Sequence, residues 1–166
     1  MSMHVMWQRN RWSALAALSL AILTILSASA AGAGSPIDTG YFDNVAIRGY
    51  DPVAYFTDGR AVKGSEQFTY KWLGATWEFA NAEHQQTFAA TPIRYAPQYG
   101  GLCAVGVARG ERSVNVDPEA WRIVDGKLYL FFGKTGLEQD WDPHPEAVVA
   151  KADANWPAIE AKLVAR

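Results

Sequence analysis

Polar and apolar positions alternate most clearly in two stretches of the chain. Gln67 to Trp72 alternates and is rich in aromatic residues, Leu73-Gly74 offers a turn, and Ala75 to Phe79 forms a second run. Alternation of period two around a glycine turn predicts a β-hairpin. Asn81 is placed to cap a helix from Ala82 to about Ala90, stopped by Thr91-Pro92. Phe79, Phe88 and Tyr95 are expected to cover this unit from inside. A similar order returns later: Trp121 to Val124, the turn Asp125-Gly126, Lys127 to Phe132, then a helical stretch from Gly133 to Trp141 ended by Asp142-Pro143. Laying Gly74 on Gly126 matches Trp77 with Tyr129 and Phe79 with Phe131, a spacing of 52 residues. Two explanations stand: a duplicated unit, or a common hairpin–helix unit used twice.

Ahead of the first hairpin, Ser35 to Asn44 reads as an extended lead-in. Asp51-Pro52 marks a helix start, with Asp as N-cap and Pro at the first helical position. Val53 to Phe56 is then one short turn, ended by Asp58-Gly59. From Pro145 to Leu163, apolar residues fall at Val148, Val149, Ala152, Trp156, Ile159 and Leu163, a helical spacing that Pro157 is expected to divide or kink. The predicted fold is α+β: two small antiparallel hairpins, each followed by a helix, with C-terminal helices.

The beginning of the chain has another character. Arg9 and Arg11 precede an apolar run from Ala14 to Leu26, and small residues follow with the pattern Ala28-Ser29-Ala30 and again Ala31-Gly32-Ala33. A bilayer needs roughly 20 apolar residues, so this reads as a cleavable secretory signal over residues 1–33. Residues 34–166 then form a single domain, exported to the periplasm or the extracellular space, with no membrane span after cleavage. Losing Arg9 and Arg11 without any acid takes the formal charge from −2 to −4. A mildly acidic domain lacks the basic surface that nucleic acid or anionic membrane requires.

Few residues are suited to chemistry. No phosphate-cradling glycine loop, G-x-S-x-G elbow, C-x-x-C or H-E-x-x-H occurs. Asp140 and Asp142 flank Trp141 and are expected to end a helix facing solvent. Cys103 is the only cysteine, so no internal disulfide is available. It follows Tyr99-Gly100-Gly101-Leu102, where paired glycines permit φ > 0 and close approach to the backbone, and the aromatic is expected on the approach side. Cys103 is therefore either a small apolar residue in a buried strand or a thiol served by a binding loop of Tyr99, Gly100 and Gly101. Soft or borderline metal donors after residue 33 are limited to His84, Cys103 and His144. Two His and one Cys match the trigonal set of a copper centre, with His84 expected to be exposed near a helix start and His144 in a loop between prolines.

The segments RGYDPVAYF, FTYKWLGATWEFANAEHQQTFAATPIRYAPQYGG and DPEAWRIVDGKLYL resemble the YHS domain proteins, specifically the exported single-domain branch, over about Tyr41 to Trp156. The wider family is similar to small treble-clef-like, metal-handling domains. Its cysteines fall after D-P-V, at the end of the second strand and four residues later, where this chain has Ala54, Ala80 and His84; of that set only His84 remains a potential ligand. The exported branch shares the Tyr99 to Cys103 signature, and some of its relatives carry selenocysteine at the cysteine position. The resemblance therefore implies a functional Cys103.

Three functions follow as expectations. The first is a module binding copper, another thiophilic metal or a small ligand through Cys103, helped by His84 or His144. The second is a thiol-dependent redox enzyme in which Cys103 forms a sulfenic acid or a mixed disulfide with an external thiol partner. The third is an envelope domain that binds another protein. Activation would require a nearby cation or a helix N-terminus to lower the thiol pKa, and Arg109 and Arg112 are near in sequence.

Overall fold

Two residues at each hairpin tip occupy the left-handed region: Leu73 (φ 48°) with Gly74 (φ 77°), and Asp125 (φ 50°) with Gly126 (φ 70°). Such a turn has the twist that suits two antiparallel strands. It closes β1 (Ser65–Trp72) on β2 (Ala75–Phe79), and β3 (Asp117–Val124) on β4 (Lys127–Phe131). The computed structural model describes residues 34–40, 44–112 and 115–165, which belong to one compact unit, Ala31–Arg166. The expected secretory signal, residues 1–33, lies outside the described residues.

The fold is α+β, with two separate two-stranded antiparallel sheets, each followed by helices, and a long C-terminal helix. Short helices α1 (Ala54–Thr57), α2 (Ala82–Ala90), α3 (Pro92–Tyr95) and α4 (Ala104–Ala108) lie in the first two thirds. After β4 come α5 (Lys134–Gly136), a π turn Leu137–Trp141 and α6 (Pro145–Val164). Helix α2 starts where expected because the Asn81 side chain accepts from the His84 amide at 2.8 Å.

Three details differ from the sequence reading. Both first strands begin earlier, at Ser65 and Asp117, because each runs through a register shift that interrupts the alternation. At that irregularity β3 also tolerates Pro118. The stretch after β4 is one turn of α-helix followed by π helix, with Asp142 N–H donating to the Leu137 carbonyl at 2.8 Å. Pro157 does not divide the tail, since α6 is continuous through it. The carbonyl that Pro157 cannot serve belongs to the exposed Asp153, where water can satisfy it.

The 52-residue spacing governs far more than the aromatic positions that suggested it. Adding 52 to the bounds of β1 and β2 gives the bounds of β3 and β4, and the register shifts fall at matching positions, Ser65/Thr69 and Asp117/Trp121. Two short turns, Ala46–Gly49 and Gln98–Gly101, show the same relation. Ile47 (φ 50°, ψ 34°) matches Tyr99 (φ 56°, ψ 34°), and the next two residues are also left-handed in both turns. On the helices, Phe88 packs on Trp77 and Phe79 at 4.9 and 5.2 Å between ring centroids, as Trp141 packs on Tyr129 and Phe131 at 4.8 and 5.0 Å. Phe88 and Trp141 are 53 apart, because the π turn inserts one residue. Residues 46–90 and 98–142 thus repeat one structural unit.

The core joins the two halves. Trp77, Phe79, Phe88, Phe131 and Trp141 are all essentially inaccessible, so each hairpin buries its aromatic face beneath its own helix, while Tyr95 is half-buried against Phe56. The Tyr55 hydroxyl donates to the Pro118 carbonyl at 3.0 Å, tying α1 to β3. Helix α6 packs on α4, and Asn155 donates to the Val107 and Ala108 carbonyls at 3.0 and 3.1 Å, capping the end of α4. Among the described residues no helix is long and apolar enough to cross a membrane.

Candidate functional site

Cys103 stands immediately before α4, at the end of the segment that starts with the left-handed turn Gln98–Gly101. That turn depends on its glycines. Gly100 and Gly101 have φ of 62° and 87°, and a Cβ on Gly100 would overlap the Pro36 carbonyl oxygen. The close approach has a purpose: the Asp38 amide donates to the Gly100 carbonyl at 2.7 Å, holding the lead-in segment against the turn.

The Cys103 residue is 6% exposed, carries a free thiol and pairs by a parallel bridge with Leu130 of β4. It packs within the hydrophobic core and also borders a cavity. It lines a pocket of about 420 Å³ with Gly106, Arg109, Phe132, Gly136 and Asp140 among its walls. Arg109 pairs with Asp140 at 3.1 Å, so an ion pair crosses the rim of a largely apolar cavity. A larger pocket of about 650 Å³ lies elsewhere, with Arg48, Lys63, Glu66 and Glu78 among its lining residues. It contains neither thiol nor imidazole, and the candidate site is accordingly placed at Cys103.

Tyr99, Gly100 and Gly101 do not line the thiol pocket. Tyr99 is buried, with its ring centroid 6.0 Å from that of Tyr129 and 5.8 Å from that of Trp156, and its hydroxyl donates to Asp153 Oδ1 at 2.8 Å. Burial, and then this hydrogen bond to a carboxylate, push the Tyr99 phenol well above its ordinary pKa. These three residues shape the backbone that delivers Cys103. Of the two arginines, Arg109 lies in the pocket wall, whereas Arg112 acts on Asp38, whose pKa is raised by burial against the opposing pull of the Gly40 hydrogen bond and that cation.

The structure does not bring His84, Cys103 and His144 together. Among the described residues no three His, Cys, Asp or Glu side chains are grouped to hold a metal ion. His144 is exposed at the start of α6. His84 is largely buried, contrary to the exposed position expected, because its Nδ1 sits 2.6 Å from Asp51 Oδ2. Asp51 has no solvent exposure. Its Oδ1 accepts from the amides of Val53 and Ala54 at 2.8 and 3.3 Å, and its Oδ2 accepts from the Ala80 amide at 2.9 Å beside the imidazole. Beyond the ring, His84 Nε2 is 3.4 Å from the Thr57 hydroxyl.

Positions 54, 80 and 84 thus converge on a carboxylate. Two alanine amides and one imidazole around Asp51 are not the donor set of a thiolate metal site, and these residues do not fit such an ion. Asp51 was legible only as a helix cap; its cross-link to His84, 33 residues away, was not. Asp140 and Asp142 are exposed as expected but paired, Asp142 accepting both Arg122 Nε and Nη2 at 3.1 and 2.7 Å. No family model matches the chain, and neither the curated proteins nor the solved structures contain a significant match.

Proposed function

We propose that this protein is an exported small-ligand binding module of the YHS type, in which the ligand rests against the Cys103 thiol. The observation carrying this reading is that Cys103, a free cysteine 6% exposed, borders a cavity of about 420 Å³. Apolar walls with a few polar groups at the edge are the usual makeup of small-molecule sites. The donor set favours an organic ligand over a bare soft ion. Only Asp140 and Glu111 accompany the thiol as anionic donors in the pocket wall, and Asp140 is already held by Arg109.

The test is thiol labelling of the folded protein over a range of pH, with and without Cu(I), joined to thermal melting of Cys103→Ser. An accessible thiol labels in the native state, and the serine variant melts close to the parent because its hydroxyl faces the pocket. A sealed thiol gives the reverse: no native labelling, and a loss of roughly 1–3 kcal/mol for an unsatisfied hydroxyl. That combination refutes the proposal. Protection by equimolar Cu(I) replaces the organic ligand with a metal.

A further inference from the structure

The repeat gives the thiol pocket an internal standard of comparison. Moving 52 residues along the chain carries Asp51 to Cys103, Ala54 to Gly106, Thr57 to Arg109, Ala80 to Phe132 and His84 to Gly136. The first members of these pairs enclose the buried Asp51–His84 cross-link. The second members all line the cavity beside Cys103. The two places are copies of one cage, and they differ in content. In the first, the His84 imidazole fills the space between Asp51 and Thr57. In the second, Gly136 has no side chain to put there, and the space is open.

We infer that the Cys103 pocket is the vacated copy of a ring-holding cage, and that its ligand is a small planar nitrogen heterocycle seated where the His84 imidazole sits in the first half. The inference rests on the proposal above that the ligand meets the thiol, and it adds the ligand's class and the residue that keeps the site open. The first cage indicates how such a ring is held. One ring nitrogen faces the acidic group, as His84 Nδ1 faces Asp51, and here that group is the Cys103 thiol. The opposite nitrogen points to Thr57, and the equivalent residue here is Arg109, which lines the cavity, pairs with Asp140 at 3.1 Å and keeps further N–H donors for a ring nitrogen acceptor. The volume of about 420 Å³ admits such a ring with room for substituents, and an apolar wall suits its faces.

Gly136 determines access. Its φ and ψ of −65° and −33° are helical and open to any residue, and a Cβ there would meet only Asp140 Oδ2, at 4.0 Å. Histidine is therefore sterically admitted and would restore the plug of the first half.

The experiment uses the full chain with imidazole itself as probe. Parent, Gly136→Ala and Gly136→His are compared for melting temperature and for the rate of Cys103 labelling by a small alkylating reagent. The alanine variant labels at the parent rate. The histidine variant, folded by its melting transition, labels about tenfold more slowly or less, since reagent then enters only by local opening. Imidazole slows labelling of the parent in a saturable way and leaves Gly136→His unchanged. Backbone amide shifts at Phe132 and Gly136 on imidazole addition report occupancy without using the thiol. A folded Gly136→His that labels at the parent rate overturns the inference, as do parent amides that imidazole does not move. A thiol that never labels, with amides that do respond, overturns the thiol-contact reading and leaves the cage standing.

Discussion

Replacing Asp51 by alanine tests the account of the first cage most severely. The carboxylate is fully buried and accepts from three backbone amides and one imidazole. Removing it leaves the Val53 and Ala54 amides without that partner in buried surroundings, and the Ala80 amide without it in a partly buried place. His84, whose side chain is 12% exposed, has a route to solvent and suffers less. Each orphaned buried donor costs about 1–3 kcal/mol, and breaking a buried pair by deleting one member costs about 3–5 kcal/mol in total. The lower sum is appropriate, because α1 is a single turn that can shift to recover part of the loss. Asp51→Ala should therefore lose about 3–5 kcal/mol in urea denaturation followed by tryptophan fluorescence, or roughly 10–20 °C in melting temperature. Asp51→Asn keeps the shape and one acceptor but turns a donor toward the Ala80 amide, so it should lose about 1–2 kcal/mol. The order alanine, asparagine, parent is as diagnostic as the size. An alanine variant within about 1 kcal/mol of the parent would refute the claim that this carboxylate holds α1, β2 and α2 together.

Other consequences can be checked on the same material. Gly100→Ala should be the more damaging of the two glycine changes, because its Cβ meets the Pro36 carbonyl, whereas Gly101→Ala brings only strain at φ 87° and a 3.4 Å contact with Pro97 Cγ; both should lose on the order of 1 kcal/mol or more in melting experiments, and equal small losses would contradict the close approach. The Tyr99 phenol has its folded-state pKa raised by burial and by Asp153, so its contribution is complete below the ordinary phenol pKa and is lost as pH rises above it. Tyr99→Phe should accordingly lose about 1 kcal/mol at neutral pH and show a shallower fall of stability in alkali, while an unchanged alkaline slope would go against this. Asp38 is raised mainly by burial, so its ionisation opposes folding as pH rises through the carboxylate range; Asp38→Asn should gain melting temperature relative to the parent on going from acid to neutral conditions, and a variant that loses ground to the parent over that range would reverse the assignment.

How much of this molecule was legible in its sequence follows from the range of the forces involved. Hairpins, the places of their turns, the Asn81 cap and the α+β class were readable because each depends on residues a few positions apart, such as Leu73-Gly74 and Asn81 with His84. Even the repeat left a trace, in the spacing that pairs Trp77 with Tyr129. Local pattern failed where the register shifts broke the alternation, at Ser65 and Asp117, and where Pro157 sat on an exposed helix face that water can serve. The site needed tertiary structure. Asp51 reads as a helix cap and His84 as a surface histidine until the fold brings them to 2.6 Å, and Gly136 has no signature at all. A glycine becomes informative only beside its counterpart: the same cage holds an imidazole in one half and open space before a thiol in the other. That contrast depends on the burial of residues distant in sequence, where desolvation makes a carboxylate demand partners and the absence of a side chain becomes a cavity.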